Sequence, residues 1–268
     1  MRISFVGGGA MAEAMISGVI GAGVASPDEI KVGEPMEGRR EHLKQKYGVQ
    51  PLAGNSEVVD GADVVVLAVK PQQASTAITE LGAALGPEQT VLSIVGGFKV
   101  AALVEGLGHA AVVRVMPNTP AQIGAGMSVW TATPEVSKAG LDAAGTILRS
   151  LGEEIYVPDE KLIEMATALS GCGPAYVFLF IEALIDAGVY IGMTREMSRK
   201  LTLQTVLGST RLVAETGRHP AELKDMVTSP AGATIEAVLA FEQSGFRASV
   251  LDAVIAAYEK TNVLGDQK

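Results

Sequence analysis

The sequence holds a single cysteine, Cys172, in 268 residues. No internal disulfide can form, which fits a reducing compartment. Aromatic residues are scarce at 4%, while 48% of residues are apolar and 31 are glycine, so the core is expected to be aliphatic and closely packed. Positive charge is in the minority: 21 Lys and Arg against 30 Asp and Glu leave a net charge of −9. That balance argues against a general nucleic-acid surface, which needs clustered cations, but it leaves room for a small anion held locally. The three histidines, His42, His109 and His219, show no ligand spacing, so no metal site is expected. A serine hydrolase would need a G-x-S-x-G turn and a P-loop a G-K-[ST] ending, and neither is present. A long uninterrupted apolar run is also missing. The most apolar stretch, AYVFLFIEALIDAGVYIGM (175–193), is broken by Glu182 and Asp186, so no membrane span is expected. The first residues do not read as a signal peptide, because Glu13 falls inside the would-be apolar region. A soluble cytoplasmic protein is the expectation.

What is present is an alternation of apolar runs and helical stretches. Strands are predicted at 2–7, 29–33, 63–69, 90–95, 111–116, 126–133 and 153–157. Helices are predicted between them, at 9–23, 36–48, 72–84, 99–107 and 134–152. Strand–helix alternation of this kind specifies an α/β domain with a parallel sheet covered on both faces. After Pro158 the pattern changes to helices alone: 160–170, 174–191, 195–215, 231–243 and 246–260. The boundary is placed there, giving a Rossmann-type domain over 1–158 and an all-α domain over 159–268.

The chain opens MRISFVGGGAMAEAM. Gly7, Gly9 and Ala12 form G-x-G-x-x-A between a strand and a helix. The first glycine permits a sharp turn, the second lets a pyrophosphate approach the backbone, and Ala12 lets helix and strand pack closely. Free N–H groups and the helix dipole then favour the phosphates. Glu34 follows the second strand, where a carboxylate accepts hydrogen bonds from the adenosine ribose and favours NAD. Arg39 and Arg40, one helical turn onward, either pair with a 2′-phosphate or lie on a solvated, ion-paired helix face. The choice between NADH and NADPH stays open. AVKP (68–71) ends a strand and should line the cofactor cleft; Lys70 is either a charge partner for the ligand or a surface lysine. In RVMPNTP (114–120), Asn118 offers a donor and an acceptor on a loop stiffened by Pro117 and Pro120.

In the second half, LKDMVTSPAGATIEAV (223–238) reads helix, loop, helix. Ser229 is a candidate cap, Pro230 suits a first helical turn, and the N–H groups beside Gly232, with the Thr234 hydroxyl, are open to an anion. A ligand-free N-cap is the alternative. In LSGCGPAYVF (169–178), Gly171, Gly173 and Pro174 interrupt two helical stretches, and Cys172, with no paired histidine, reads as a small buried residue.

VTSPAGATIEAV resembles the signature of pyrroline-5-carboxylate reductases, and GGGAMAEAMISG, AVKPQ, MPNTP and LSGCGPAY resemble that family's other motifs in the same order. The resemblance covers essentially the whole chain. It implies reduction of 1-pyrroline-5-carboxylate to L-proline with NADPH or NADH, the last step of proline synthesis. The implied fold is a Rossmann domain followed by a helical domain that forms an intertwined dimer, with dimers assembling into larger rings. By this resemblance Gly7, Gly8, Gly9, Ala10, Met11, Ala12, Asn55, Ala68, Val69, Lys70, Pro71 and the Asn118 loop face the cofactor. By the same resemblance Glu160 lies near the substrate, and Ala233 and Thr234 hold it, Thr234 as the catalytic candidate; Gly232, open to an anion, is a substrate-binding candidate beside them. Ala231 and Glu34 depart from the family pattern, which has glycine at the first position and often a small polar residue at the second. Two rivals stand beside this reading. A 3-hydroxyacid dehydrogenase needs a helical-domain lysine, but Lys161 and Lys200 lie in no such loop. A nucleotide sensor without turnover is argued against by the intact 229–234 loop.

Overall fold

The short apolar runs become strands of one eight-stranded sheet in the computed structural model, which describes residues 1–266. The strands are β1 (Ile3–Val6), β2 (Ile30–Gly33), β3 (Gln50–Leu52), β4 (Val64–Leu67), β5 (Thr90–Ser93), β6 (Val112–Met116), β7 (Gly126–Ala132) and β8 (Gly152–Tyr156). Their order is β3-β2-β1-β4-β5-β6-β7-β8. β1, β4 and β5 are buried along their whole length, as strands covered on both faces must be. One covering layer comes from α1 (Ala10–Gly21), α2 (Glu37–Tyr47) and α5 (Lys138–Arg149), which bury Met15, Ile16, Leu43 and Leu148 with Phe5 and Trp130. The other comes from α3 (Ala74–Gly82) and α4 (Val100–Leu107), which bury Ile78, Leu81, Leu103 and Leu107 with Val65 and Leu67. The chain reverses its direction of travel across the sheet between β1 and β4, so the carboxyl ends of these two strands flank a crevice.

Three features differ from the sequence expectation. The sheet is not parallel throughout: β7 runs antiparallel to β6, and β8 runs parallel to β7. Only residues 117–125 join β6 to β7, fewer than the dozen or so that a parallel crossover requires. β3 is an additional strand; it is three residues long, lies on the sheet edge and contains Pro51, tolerated there. α9 (Pro220–Met226) is an additional helix, begun by Pro220 in its first turn with the His219 ring accepting from Ala221 N at 3.2 Å.

The chain divides into two compact units, Met1–Cys172 with Ala257–Lys268, and Gly173–Ala256. The first unit also contains α6 (Lys161–Ala166), followed by a π-helical turn at Thr167–Gly171 where Cys172 N bonds Thr167 O at 2.8 Å. This turn is the interruption marked by the glycines, and Cys172 beside it is half-buried.

The second unit is built from α7 (Gly173–Tyr190), α8 (Arg195–Thr216), α9, α10 (Ala233–Gln243) and the first part of α11 (Phe246–Asp266). Strands are absent from it. α7, α9 and α10 have no buried residue, and α8 buries only Ser198 and Thr202. Phe178, Leu179 and Leu251 are each 60% or more exposed. A helical unit with its large apolar side chains outside has no core of its own, and such a surface marks an interface. The helical stretch Lys161–Tyr190 is, by length and composition only, long and apolar enough to cross a membrane, and 6% of its most apolar window is buried.

Candidate active site

The three glycines after β1 stand in three different surroundings. Gly7 has φ +97°, its N–H bonds Gly33 O at 2.8 Å, and a Cβ on it would lie 2.8 Å from Ala68 O. Conformation and close approach both demand glycine there. Gly8 is buried; a Cβ on it would meet Leu43 Cδ1 at 2.9 Å and Glu34 Oε2 at 3.1 Å. Gly9 is exposed, and a Cβ on it would meet nothing within 4 Å. It is also the N-cap of α1, in extended conformation, with no side chain capping the helix. The N–H groups of Ala10, Met11 and Ala12 thus begin a 12-residue helix with open space beside Gly9. Uncapped N–H groups, a helix dipole and a missing side chain together fit a pyrophosphate. Ala12 is fully buried, the close helix–strand contact expected of it.

Glu34 follows β2 directly and is 8% exposed. Its Oε2 accepts from Gly8 N at 3.1 Å and its Oε1 from Met36 N at 2.9 Å. Asn55 lies beside it: its Oδ1 would be 2.7 Å from a Cβ on Gly33, and its Nδ2 donates to Glu80 at 2.7 Å. The structure therefore gathers Gly7–Ala12, Glu34 and Asn55 at the carboxyl ends of β1 and β2. Ala68–Pro71 joins them from β4, with Ala68 N bonded to Val6 O at 2.8 Å; Lys70 is exposed.

Both arginines are engaged by protein atoms. Arg39 donates to Gly8 O at 2.6 Å, to Gly9 O at 3.3 Å and to Glu13 Oε2 at 2.5 Å. Arg40 donates to Glu34 O and Pro35 O at 2.8 and 2.7 Å. Glu13, on α1, also pairs with His42 at 3.1 Å and accepts from Lys46 and Tyr47 at 2.9 Å each. Burial pushes the Glu13 carboxyl up, but hydrogen bonds from Lys46, His42, Arg39 and Tyr47 outweigh it and hold the group well below the usual carboxylate range. A carboxyl depressed on folding contributes stability that is fully present above its unfolded value and is lost as pH falls through the folded one. The melting-temperature difference between wild type and Glu13→Gln should therefore stay constant from pH 8 to about 5 and shrink below about 4, near the ordinary carboxyl value. Thermal unfolding across that range checks it.

Two further groups pin the loops after β5 and β6. Asn118 Nδ2 donates to Ser170 O at 3.1 Å and its Oδ1 accepts from Met127 N at 2.9 Å, which fixes the loop against β7 and the π turn. Arg114, inside β6 with a side chain 4% exposed, donates to Glu160 Oε1 at 2.6 Å and Glu164 Oε1 at 2.8 Å. Glu160 Oε1 also accepts from Val100 N at 2.6 Å, at the start of α4. Arg114, Glu164 and Glu13 were not singled out from the sequence as parts of the site. A charged residue within the apolar run VVRVM was the one available signal for Arg114, because a buried charge needs a partner.

In the second unit, α10 begins at Ala233, with Gly232 as an extended N-cap and no side-chain cap. Ser229 is not the cap; Gly232 N bonds Ser229 O at 3.1 Å, closing a turn before the helix. Ala231 has φ +55°, the one non-glycine residue with positive φ among the described residues. A residue held there stores strain of about 1–3 kcal/mol, and such positions cluster at ligand sites. Ala233 and Thr234 are exposed, so the first N–H groups of this 11-residue helix and the Thr234 hydroxyl stand together on an open loop.

Comparison with known proteins gives matches over the whole chain. A family model described as pyrroline-5-carboxylate reductase dimerisation matches residues 160–264. A second, described as NADP oxidoreductase, coenzyme F420-dependent, matches residues 2–97. A pyrroline-5-carboxylate reductase of Synechocystis sp. is 42% identical over 266 residues, covering 99% of this chain and 98% of the relative. Among solved structures, a pyrroline-5-carboxylate reductase from Coxiella burnetii superposes with a TM-score of 0.90 at 38% identity, covering 98% of each chain. The Plasmodium falciparum pyrroline carboxylate reductase with NADP bound gives 0.91 at 33% identity, covering 99% of this chain and 98% of that one.

Proposed function

The chain belongs to the pyrroline-5-carboxylate reductase family, and from that premise we propose that it reduces 1-pyrroline-5-carboxylate to L-proline with NADPH or NADH, the last step of proline biosynthesis. The observation that carries the reading to this chain's own residues is the uncapped, open start of α1 at Gly9. Gly7–Ala12 hold the pyrophosphate there, Glu34 and Asn55 face the adenosine ribose, and Ala68–Pro71 and the Asn118 loop line the nicotinamide end. When bound, the reduced nicotinamide supplies the hydride to the C=N carbon.

The remaining work falls to the protein. The N–H groups of Gly232, Ala233 and Thr234 anchor the substrate carboxylate at the start of α10, where the helix dipole favours an anion. The Thr234 hydroxyl donates a hydrogen bond to the substrate. A threonine is a poor acid, so its role is to position the imine, and the ring nitrogen takes its proton from water. Glu160, bonded to Arg114 and Val100 N, serves as a positioning residue that steadies the loops after β5 and β6. A hydrogen bond to a charged group is worth about 1.5–3 kcal/mol, so Thr234→Ala should lower kcat/KM for the imine roughly 10- to 100-fold. The dissociation constant of NADPH or NADH should stay unchanged in that variant. An unaltered kcat/KM would remove Thr234 from the substrate site.

The protein self-associates through its helical domain. The exposed apolar faces of α7 and α11 support a dimer as the basic unit; rings of dimers as the larger assembly and a cytoplasmic location complete the proposal. Leu251→Glu places a charge on that face and should yield a smaller species in light scattering after gel filtration. An unchanged mass would exclude this face from the contact.

A further inference from the structure

We propose that Glu13 is a positioning residue that gives the cofactor site a preference for NADH over NADPH, by holding Arg39 against the glycine loop and away from the carboxylate of Glu34. The inference rests on the reading of Gly7–Ala12 as the dinucleotide site. Glu34 and Arg39 meet at one residue: Gly8 donates its N–H to Glu34 and accepts from Arg39 Nε at its carbonyl. Opposite charges thus flank a single glycine, and the one presented to the ribose decides the cofactor. A carboxylate accepts from a 2′-hydroxyl and repels a 2′-phosphate, whereas a guanidinium on the same side binds the phosphate.

The side chains present the carboxylate. Glu34 is fixed by two backbone N–H groups. Arg39 stands in the first turn of α2, five residues after Glu34, yet it is turned to α1, where Glu13 Oε2 and the carbonyls of Gly8 and Gly9 take its donors. Glu13 is 17% exposed and is itself held by three more groups of α2, His42, Lys46 and Tyr47. Those contacts make the Glu13 carboxylate a fixed anchor. Arg40 is likewise committed to backbone carbonyls at 34 and 35. Loss of the charge at Glu13 removes the ionic anchor that Arg39 has among the described residues and leaves its guanidinium able to swing to a 2′-phosphate.

The test is calorimetric titration of the full-length protein with NAD+ and with NADP+, alongside kcat/KM for NADH and NADPH. Wild type should bind NAD+ the more tightly. Glu13→Gln should shift the affinity ratio about 5- to 10-fold toward NADP+, and adding Arg39→Ala should abolish that shift. Arg39→Met alone serves if Glu13→Gln fails to fold. It should weaken both nucleotides together, because only the loop clamp is lost; selective loss of NADP+ would overturn the proposal. Wild-type preference for NADP+, or a Glu13→Gln protein with an unmoved ratio, would overturn it also. Folded wild type that binds neither nucleotide would overturn the dinucleotide reading itself and the proposal with it.

Discussion

Replacing Arg114 by alanine should destabilise the protein by about 3–5 kcal/mol, the usual consequence of deleting one partner of a buried ion pair. In a domain of this size that corresponds to a melting temperature lower by roughly 6–20 °C. The size of the effect follows from what stays behind. Glu164 has a side chain 9% exposed and Glu160 one 30% exposed, and both point an oxygen at the same Arg114 nitrogen. Without the guanidinium the two carboxylates lose the cation that they share, while Glu160 keeps the bond from Val100 N. Pairing Arg114→Leu with Glu164→Leu should recover part of the loss, because apolar residues of similar volume replace buried ion pairs at little cost. Thermal unfolding of the three proteins decides it. A drop under about 2 °C for Arg114→Ala would mean that the network contributes little.

Gly9→Val should leave the fold intact and weaken cofactor binding roughly 100-fold. A Cβ at Gly9 meets no atom of the protein, and the residue has φ −67° and ψ −176°, which a β-branched residue adopts without strain. In the proposed site, the same space is where a pyrophosphate approaches the first N–H groups of α1. Blocking it forfeits one or two charge-assisted hydrogen bonds, each worth about 1.5–3 kcal/mol. Gly7→Val is the contrasting change. There φ is +97° and a Cβ would crowd Ala68 O, so stability itself should fall. An unchanged melting temperature with a raised dissociation constant in Gly9→Val separates binding from folding. Unchanged affinity would move the pyrophosphate away from α1.

The contrast between these two glycines marks how far the sequence can be read. G-x-G-x-x-A between a strand and a helix locates the loop, and Glu34 after the second strand marks the proposed ribose end, because both signals are local in the chain. The parallel arrangement of β1, β2, β4, β5 and β6 is equally legible from strand–helix alternation. The reversal at β7 was readable in principle, from a connection too short for a crossover. Glu13 was not. An acidic residue early in a helix looks like one turned to solvent, and its four partners on α2 lie 26 to 34 residues away. Arg114 shows the same limit: its position in an apolar strand demands a partner, but only the packing of α6 on β6 identifies Glu160 and Glu164. The glycines mark an interruption near 171 and the composition marks helices too apolar for a solvent-facing surface, but the π geometry at 167–171 and the choice between a core and an interface for those faces depend on tertiary and quaternary context.

The most direct test of the whole account is the conversion catalysed by the purified wild-type protein. 1-Pyrroline-5-carboxylate is supplied with NADH or NADPH, the loss of reduced nucleotide is followed by absorbance, and proline is quantified in the same samples. Nucleotide oxidation should depend on the imine, with one proline formed per nucleotide consumed. Folded protein that binds a nucleotide but forms no proline with either would contradict it.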